Sequence, residues 1–381
     1  MTTLLHTADW HLGKSFNRFA EAPGLQAELR RARLDAIDRL GVAAREVGAA
    51  AILVAGDVFH TSEVDDQVVV AALDRIGRLG VPVVAIPGNH DHAGPGTIWQ
   101  RPTFARHCER LAPNLQVVLD APRCVPIGDV DVVAAPVLQR LHRQSLAALG
   151  AVGSRPGCAR VGLVHGACHE FAEDDASRAL DLAGEARAEL SYLALGDYHR
   201  QQRVAGLHCP AAYAGSHEPD GFPSHHQAGE RTGTCLVVEI AGPGRVQVRP
   251  MPLAGGLRWV RLVRALQDDA ALAVFAAELQ ELAAGRVQST LVSLDLDGSR
   301  LGYAAARRLD ELCSELRPLY LHLERQGEVA LQPSADELQA MQGWPGLAGL
   351  AAQRLQAQAE GDAIAPLALA RLFALVQGGD A

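Results

Sequence analysis

Ala50-Ala51-Ile52-Leu53-Val54-Ala55-Gly56-Asp57-Val58-Phe59-His60 decides how the chain is read. Its six leading apolar residues predict a short strand buried on both faces, and the chain turns polar at Asp57 as soon as the run ends. The same event occurs on either side. Upstream, Leu4–Ala8 is an apolar run that stops at Asp9-Trp10-His11; downstream, Val81–Ile86 stops at Pro87-Gly88-Asn89-His90-Asp91. Between them, Gln26–Val47 carries Leu29, Leu34, Ile37, Leu40 and Val47 at helical spacing, with Arg and Asp on the other side, and Val68–Leu79 reads as a second helix. Strand, helix and strand in alternation is the pattern of an α/β protein.

Further strands are predicted at Leu115–Leu119, Val130–Ala134, Val161–Val164 and Tyr192–Leu195. Cys235–Ile240 and Val246–Pro250, joined by Ala241-Gly242-Pro243-Gly244-Arg245, read as a hairpin that closes this domain over residues 1–252. After Gly255-Gly256 the pattern restarts. Trp259–Leu266, Ser289–Leu296 and Leu319–Glu324 read as strands alternating with helices over Ala270–Ala284 and Gly302–Leu316, a βαβαβ unit over 256–330. The remainder, 331–381, reads as helices at Ala335–Gln358, broken at Gly343-Trp344-Pro345-Gly346, and at Ile364–Gln377.

Composition sets outer bounds. The chain has 381 residues, 48% of them apolar, which is a globular composition with room for more than one core. No apolar run is long enough for a membrane span, and Thr2-Thr3-Leu4-Leu5-His6 shows no basic leader, so a cytoplasmic protein is expected. The seven cysteines form no C-x-x-C pair, which argues against a structural zinc site and a disulfide framework. The net charge of −9 gives no basic footprint for nucleic acid, although carboxylates that bind cations are counted in it. Lys14 is the sole lysine, and 14 of the 15 histidines precede residue 230.

Those histidines keep company with acids at predicted strand ends, where open α/β sheets hold their ligands. The clusters are Asp9-x-His11, Gly56-Asp57-Val58-Phe59-His60, Gly88-Asn89-His90-Asp91, His165-Gly166 and Gly196-Asp197-Tyr198-His199. One histidine after a strand is ordinarily a satisfied structural residue; five such clusters are hard to explain by packing. Hard oxygen donors mixed with imidazole suit divalent metals that act on a phosphoester, and two metals about 3.5–4 Å apart need a carboxylate between them. Asn89 fits that chemistry, because an amide oxygen ligates without cancelling positive charge. On an extended segment, Asp9 and His11 would share one face and grip one ion.

Together these residues resemble the calcineurin-like metallophosphoesterase superfamily over roughly residues 3–250. The resemblance implies a β-sandwich flanked by helices. It implies Asp9, His11, Asp57 and His199 at one metal, with Asp57 bridging, and Asn89, His165 and position 197 at the second. His90 would then stabilise the transition state or protonate the leaving group, oriented by Asp91 through a carboxylate–imidazole bond. Within the superfamily, Thr7-Ala8-Asp9-Trp10-His11-Leu12-Gly13, Gly56-Asp57-Val58-Phe59-His60, Tyr213-Ala214-Gly215-Ser216 and Gly229-Glu230-Arg231-Thr232-Gly233 resemble the SbcD-like and YhaO-like DNA repair exonucleases. That implies strand handling by His60, a DNA-capping role for 256–330, Mn²⁺ (or Mg²⁺) as the metal and DNA as the substrate. An SbcC-like, SMC-type ATPase docked on the C-terminal helices and a homodimer are implied with it.

One departure stands out: the family writes G-H-x-H where this chain has Gly196-Asp197-Tyr198-His199. Asp197 takes the imidazole's place, His169 fills in, or the second metal is held weakly; direct substitution is the expectation. Lys14 and Arg18 are candidate phosphate contacts or solvated charges. His92, His107 and His225-His226 read as surface or supporting groups. Two other functions compete with a DNA nuclease: a phosphodiesterase or phosphatase on other substrates, and a non-catalytic scaffold that rests only on Asp197.

Overall fold

The computed structural model describes residues 1–140, 145–168, 179–182, 184–223, 232–332, 334–359, 361–362 and 364–376. His169, His225, His226 and Gly229-Glu230-Arg231 lie outside the described residues. In chain order the first elements are β1 (Thr2–Thr7), α1 (Pro23–Glu46), β2 (Ala51–Ala55), α2 (Asp66–Gly77), β3 (Val83–Ile86), α3 (Pro102–Leu111) and β4 (Leu115–Val117). They are followed by β5 (Arg123–Ile127), β6 (Val130–Ala134), α4 (Ala147–Gly150), β7 (Ala159–His165), β8 (Tyr192–Gly196), β9 (Gln202–Val204), β10 (Ala211–Tyr213), β11 (Thr234–Gly242) and β12 (Arg245–Pro252).

Among the described residues these strands make two six-stranded sheets, ordered β12-β11-β1-β2-β3-β4 and β5-β6-β7-β8-β10-β9. Strands β1 to β4 are parallel, as are β6, β7, β8 and β10, so the carboxyl ends within each group fall on one rim. Alternation along the strands explains the sandwich. Leu5, Ile52, Val54, Val83 and Ala85 point to one side and pack with Ile37, Leu40, Leu73, Ile76 and Phe104 from α1, α2 and α3. Leu4, Leu53, Ala55, Val84 and Ile86 point to the other and meet Val132, Val161, Leu163 and Ala194 of the second sheet. The outer face of that sheet, with Val133, Val164, Leu193 and Leu195, is covered by Leu146, Leu149, Leu180 and Ala188. Four layers bury β2 on both faces, which is why it reads as an unbroken apolar run; each such Ile, Leu or Val contributes roughly 1.5–3 kcal/mol relative to exposure.

Helix α1 starts on Pro23 in its first turn and ends with Arg45 in its last, both favourable positions. Its polar side is not wholly solvated: Arg33, one turn from Leu29 and from Ile37, is fully buried with them.

A polar group lies inside the sandwich. His6 of β1 donates from Nε2 to the Leu195 carbonyl at 3.2 Å and accepts at Nδ1 from the Tyr192 hydroxyl at 2.9 Å. Burial pushes its pKa from 6.5 down to about 3. The unfolded chain therefore binds the proton first, and stability falls as pH drops from about 6.5 towards 3, at about 1.4 kcal/mol per unit from this group. Denaturant midpoints for His6→Gln between pH 4 and 7 are expected to fall less steeply than those of the parent, and parallel curves would contradict this account.

The chain divides into two compact units, the first made of Met1–Asp220 with the stretch up to Leu257, the second of Arg258–Ala381 with the stretch that begins at Gly221. The second unit holds β13 (Arg258–Val263), α5 (Asp269–Ala283), β14 (Thr290–Asp295), β15 (Ser299–Leu301), α6 (Tyr303–Leu316), β16 (His322–Gln326) and β17 (Val329–Leu331). Strands β13, β14 and β16 form a parallel sheet around Leu272, Phe275, Leu279, Val292, Leu294 and Leu309. Strand β16 starts later than the sequence suggests, because Leu319 still bonds back to the Leu316 carbonyl at 3.0 Å and Tyr320 is spent in the core. Helices α7 (Ala335–Gln342), α8 (Leu347–Gln358) and α9 (Ala365–Val376) complete the unit. A Ser334–Glu337 capping box opens α7, and Gly346 at φ +66° separates α7 from α8. No helix among the described residues is long and apolar enough to cross a membrane.

Candidate metal centre

The rims of the two sheets meet where β1, β2, β3, β7 and β8 end. The Ala55 carbonyl at the end of β2 accepts from Nδ1 of His165, the last residue of β7, at 2.8 Å. Side chains in this junction would collide with main chain, so the motif glycines are steric requirements. A Cβ on Gly88 would lie 2.0 Å from the Asp57 carboxylate, and one on Gly196 would lie 1.8 Å from the Ala55 oxygen.

Asp9 and His11 do not lie on an extended segment, contrary to the D-x-H expectation. Both adopt positive φ, +53° and +42°, as do Asp57 at +53° and Asp197 at +100°. Such backbone is uncommon outside glycine and concentrates where a site over-determines it. Here the constraint is the neighbouring strand exit: Asp9 N donates to the Gly56 carbonyl at 3.2 Å, His11 N to Asp57 at 2.9 Å and Leu12 N to Val58 at 2.9 Å. The turn is thereby copied from one rim loop to the next.

The seven expected ligands converge. Asp9, His11 and His199 form one group of donor atoms lying within 4.8 Å of one another, and Asp9, Asp57 and His165 form another. His11 Nε2 and His199 Nε2 are 2.9 Å apart. Asp57 reaches both sides, with Oδ2 3.6 Å from His11 Nε2 and Oδ1 3.6 Å from His165 Nε2. Asp197 Oδ1 lies 3.5 Å from His165 Nε2 and accepts from Asn89 Nδ2 at 3.0 Å, while its main-chain N donates to Asp9 Oδ1 at 3.0 Å. Asp9, His11, Asp57 and His165 are buried; Asn89, His90, His60, Asp197 and His199 are half-buried and give the centre its open side.

The electrostatics are those of a cation site. Burial pushes the Asp9 carboxyl up and the Asp57 carboxyl well above the usual range. Burial opposes a charge on His165, yet Asp57, Asp197 and Asp9 outweigh it and hold that imidazole well above its ordinary value. Asp9 Oδ2 and Asn89 Oδ1 are buried without a hydrogen-bond partner among the described residues. Buried oxygens of that kind cost free energy unless something positive meets them, and divalent cations are bound by this mixture of carboxylate, amide and imidazole donors. The residues fit such ions.

Residues 2–219 match the calcineurin-like phosphoesterase family. The chain belongs to that family. The SbcD subunit of nuclease SbcCD of Bacillus subtilis (strain 168) is 33% identical over 96 residues, 23% of this chain and 22% of the relative. DNA double-strand break repair protein Mre11 of Haloferax volcanii is 35% identical over 99 residues, 25% of this chain and 21% of the relative. The matches thus span about a fifth of each relative's length. Among solved structures, TT1561 of Thermus thermophilus aligns with a TM-score of 0.41 at 10% identity, covering 65% of this chain and 98% of that one.

As a calcineurin-like phosphoesterase, the chain is a hydrolase of a metal-dependent family, and its remaining site residues can be placed. His90 Nδ1 donates to the His60 carbonyl at 3.0 Å, so its neutral ring has the lone pair on Nε2. His60 stacks on His90, with centroids 5.3 Å apart and planes 19° apart. Burial, with His90 and Lys14 nearby, lowers His60 to about 4. Asp91 does not bond the His90 ring as expected. Its carboxylate accepts from Gly88 N at 2.7 Å and Phe59 N at 3.0 Å, which ties the second and third rim loops together. Burial raises Asp91 to about 6. Lys14 pairs with Asp220 at 2.5 Å, and Arg18 sits exposed on the turn Asn17–Phe19 with its guanidinium over Phe19. His92 accepts from Gly94 N at 3.2 Å, and His107 is half-buried on α3.

Two residues escaped sequence reasoning. Arg33 donates to the carbonyls of Trp10 at 2.7 Å, Asp9 at 2.9 Å and Glu218 at 3.1 Å, so the first rim loop hangs on a buried guanidinium. Its place on the apolar stripe of α1 was the available signal. Asp220 faces His199 Nδ1 at 3.5 Å; only its nearness to Gly215-Ser216 could have drawn notice.

Proposed function

We propose that this chain is a metal-dependent DNA nuclease that hydrolyses phosphodiester bonds at the centre formed by Asp9, His11, Asp57, Asn89, His165, Asp197 and His199. The observation that carries the reading is the convergence of these donors from five strand ends around the unpartnered Asp9 and Asn89 oxygens. Asp9, His11, Asp57 and His199 would hold one divalent ion, and Asp57, Asn89, His165 and Asp197 the other. When bound, such ions supply Lewis acidity at a phosphoryl oxygen and lower the pKa of water. Mn²⁺ suits the oxygen-rich donor set.

The protein's own groups orient and move protons. The His60 carbonyl fixes the His90 ring, whose free Nε2 takes a proton from the attacking water and passes it to the leaving oxygen. The Ala55 carbonyl holds Nδ1 of His165, which leaves Nε2 as the ligating atom. Asp197 replaces an imidazole directly, supported by its approach to His165 and Asn89. Asp197→Ala is therefore expected to bind one Mn²⁺ tightly and the second at least 10–100-fold more weakly, with activity falling alongside. Two tightly bound ions and full activity in that variant would remove Asp197 from the site.

The DNA substrate is supported by the likeness to a nuclease subunit and to a DNA double-strand break repair protein, together with the G-D-x-F-H motif. A coiled-coil ATPase partner is supported by the likeness to one subunit of a nuclease, and exposed Leu347, Leu350 and Leu367 on the C-terminal helices would offer it an apolar surface. The net charge of −9 favours the second reading, a phosphodiesterase or phosphatase acting on other substrates. Digestion of labelled linear DNA with Mn²⁺, beside a chromogenic phosphodiester and with His90→Gln as control, separates them. DNA cleavage that the control loses is expected; turnover of the small ester alone would favour the second reading.

A further inference from the structure

The Asp220 carboxylate approaches two groups beside the metal centre. Its Oδ2 lies 3.5 Å from Nδ1 of His199 and 2.5 Å from Nζ of Lys14, and the side chain is 15% exposed. The other ring nitrogen of His199, Nε2, is turned towards His11. A carboxylate oxygen only accepts, so an imidazole whose Nδ1 faces it carries its proton there and keeps the lone pair on Nε2.

The loop that delivers Asp220 is fastened independently of His199's side chain. Ser216 N donates to the His199 carbonyl at 2.8 Å, and Ser216 Oγ to the Asp9 carbonyl at 3.0 Å. The Glu218 carbonyl accepts from Arg33 at 3.1 Å, and its carboxylate pairs with Arg39 and accepts from Leu257 N at 2.7 Å. Asp220 thus arrives at His199 on a segment bonded to the same turn that presents Asp9.

We infer that Asp220 is a positioning residue for the first metal: it sets the tautomer and rotation of His199 so that Nε2 ligates beside Asp9 and His11, and it makes that imidazole a stronger donor. The inference rests on the metal-centre reading above. Loss of an outer carboxylate of this kind weakens metal binding by about 10–100-fold. Lys14 shares Asp220 Oδ2 with His199 and, as a cation with donors only, cannot itself accept from Nδ1–H.

The test is Mn²⁺ binding to the metal-free full chain, followed by the electron paramagnetic resonance signal of free Mn²⁺. Asp220→Ala is expected to lose about 10–100-fold in affinity at one of two sites. Asp220→Asn, isosteric and still able to accept a hydrogen bond from Nδ1–H, is expected to recover part of that loss, and Lys14→Met, which takes a cation from beside the site, to bind at least as tightly as the parent. Circular dichroism establishes that each variant is folded. Parent-like affinity at both sites in folded Asp220→Ala overturns the inference. So does a loss in Lys14→Met as large as that in Asp220→Ala, which would make the Lys14 pair the operative contact. Absence of Mn²⁺ binding in the parent itself overturns the metal-centre reading, and is thereby distinct.

Discussion

Replacing Asp57 with asparagine is expected to abolish phosphoesterase activity and to weaken both Mn²⁺ sites by more than the roughly 100-fold that loss of an outer-shell partner costs. The side chain is buried, and its two oxygens face His11 on one side and His165 on the other, each at 3.6 Å. Asp9 is the other acid in reach of both rings, its donor atoms lying within 4.8 Å of those of His11 and of His165. Mn²⁺ should raise the melting temperature of the parent and leave the variant nearly unmoved. A variant stabilised by Mn²⁺ as much as the parent would show that Asp57 is a structural acid.

His90→Gln is expected to lower turnover of a phosphodiester by about 10²–10⁴-fold and to leave both Mn²⁺ affinities unchanged. The His90 main chain, which the substitution keeps, supplies the 3.0 Å bond to Asp57 Oδ1. The His90 ring is held from behind by the His60 carbonyl and lowered by burial, so it stands as a neutral proton acceptor. His11, His60 and His90 also lie close enough to hold an ion together. Binding measurements decide between these roles: weaker Mn²⁺ binding with activity lost in proportion would make His90 a ligand.

Much of this was legible in the sequence because strands β1, β2 and β3 are covered on both faces. Burial on two sides forces continuous apolar runs, and the first polar residues after them are those that reach the rim. The identities Asp9, His11, Asp57 and Asn89 could be read in that way. Their backbone could not, because φ at Asp9 and His11 is imposed by hydrogen bonds to Gly56 and Asp57, some 46 residues later. Arg33 was hidden by the rule that puts charge on the solvent side of a helix, since three carbonyls satisfy its guanidinium where water otherwise would. Asp91 was read through its neighbour in the motif, whereas the backbone amides of Gly88 and Phe59 reach it first. Helix α3 buries little beyond Phe104, so its apolar stripe is too thin to announce it.

The most direct test of a two-metal phosphodiester hydrolase is a titration of the chelator-stripped chain with Mn²⁺, counting bound ions while following release of nitrophenol from bis(p-nitrophenyl) phosphate. Turnover is expected to be absent without metal and to rise as the second ion binds. Turnover that ignores the chelator, or two bound ions with no hydrolysis of any phosphodiester, would contradict it.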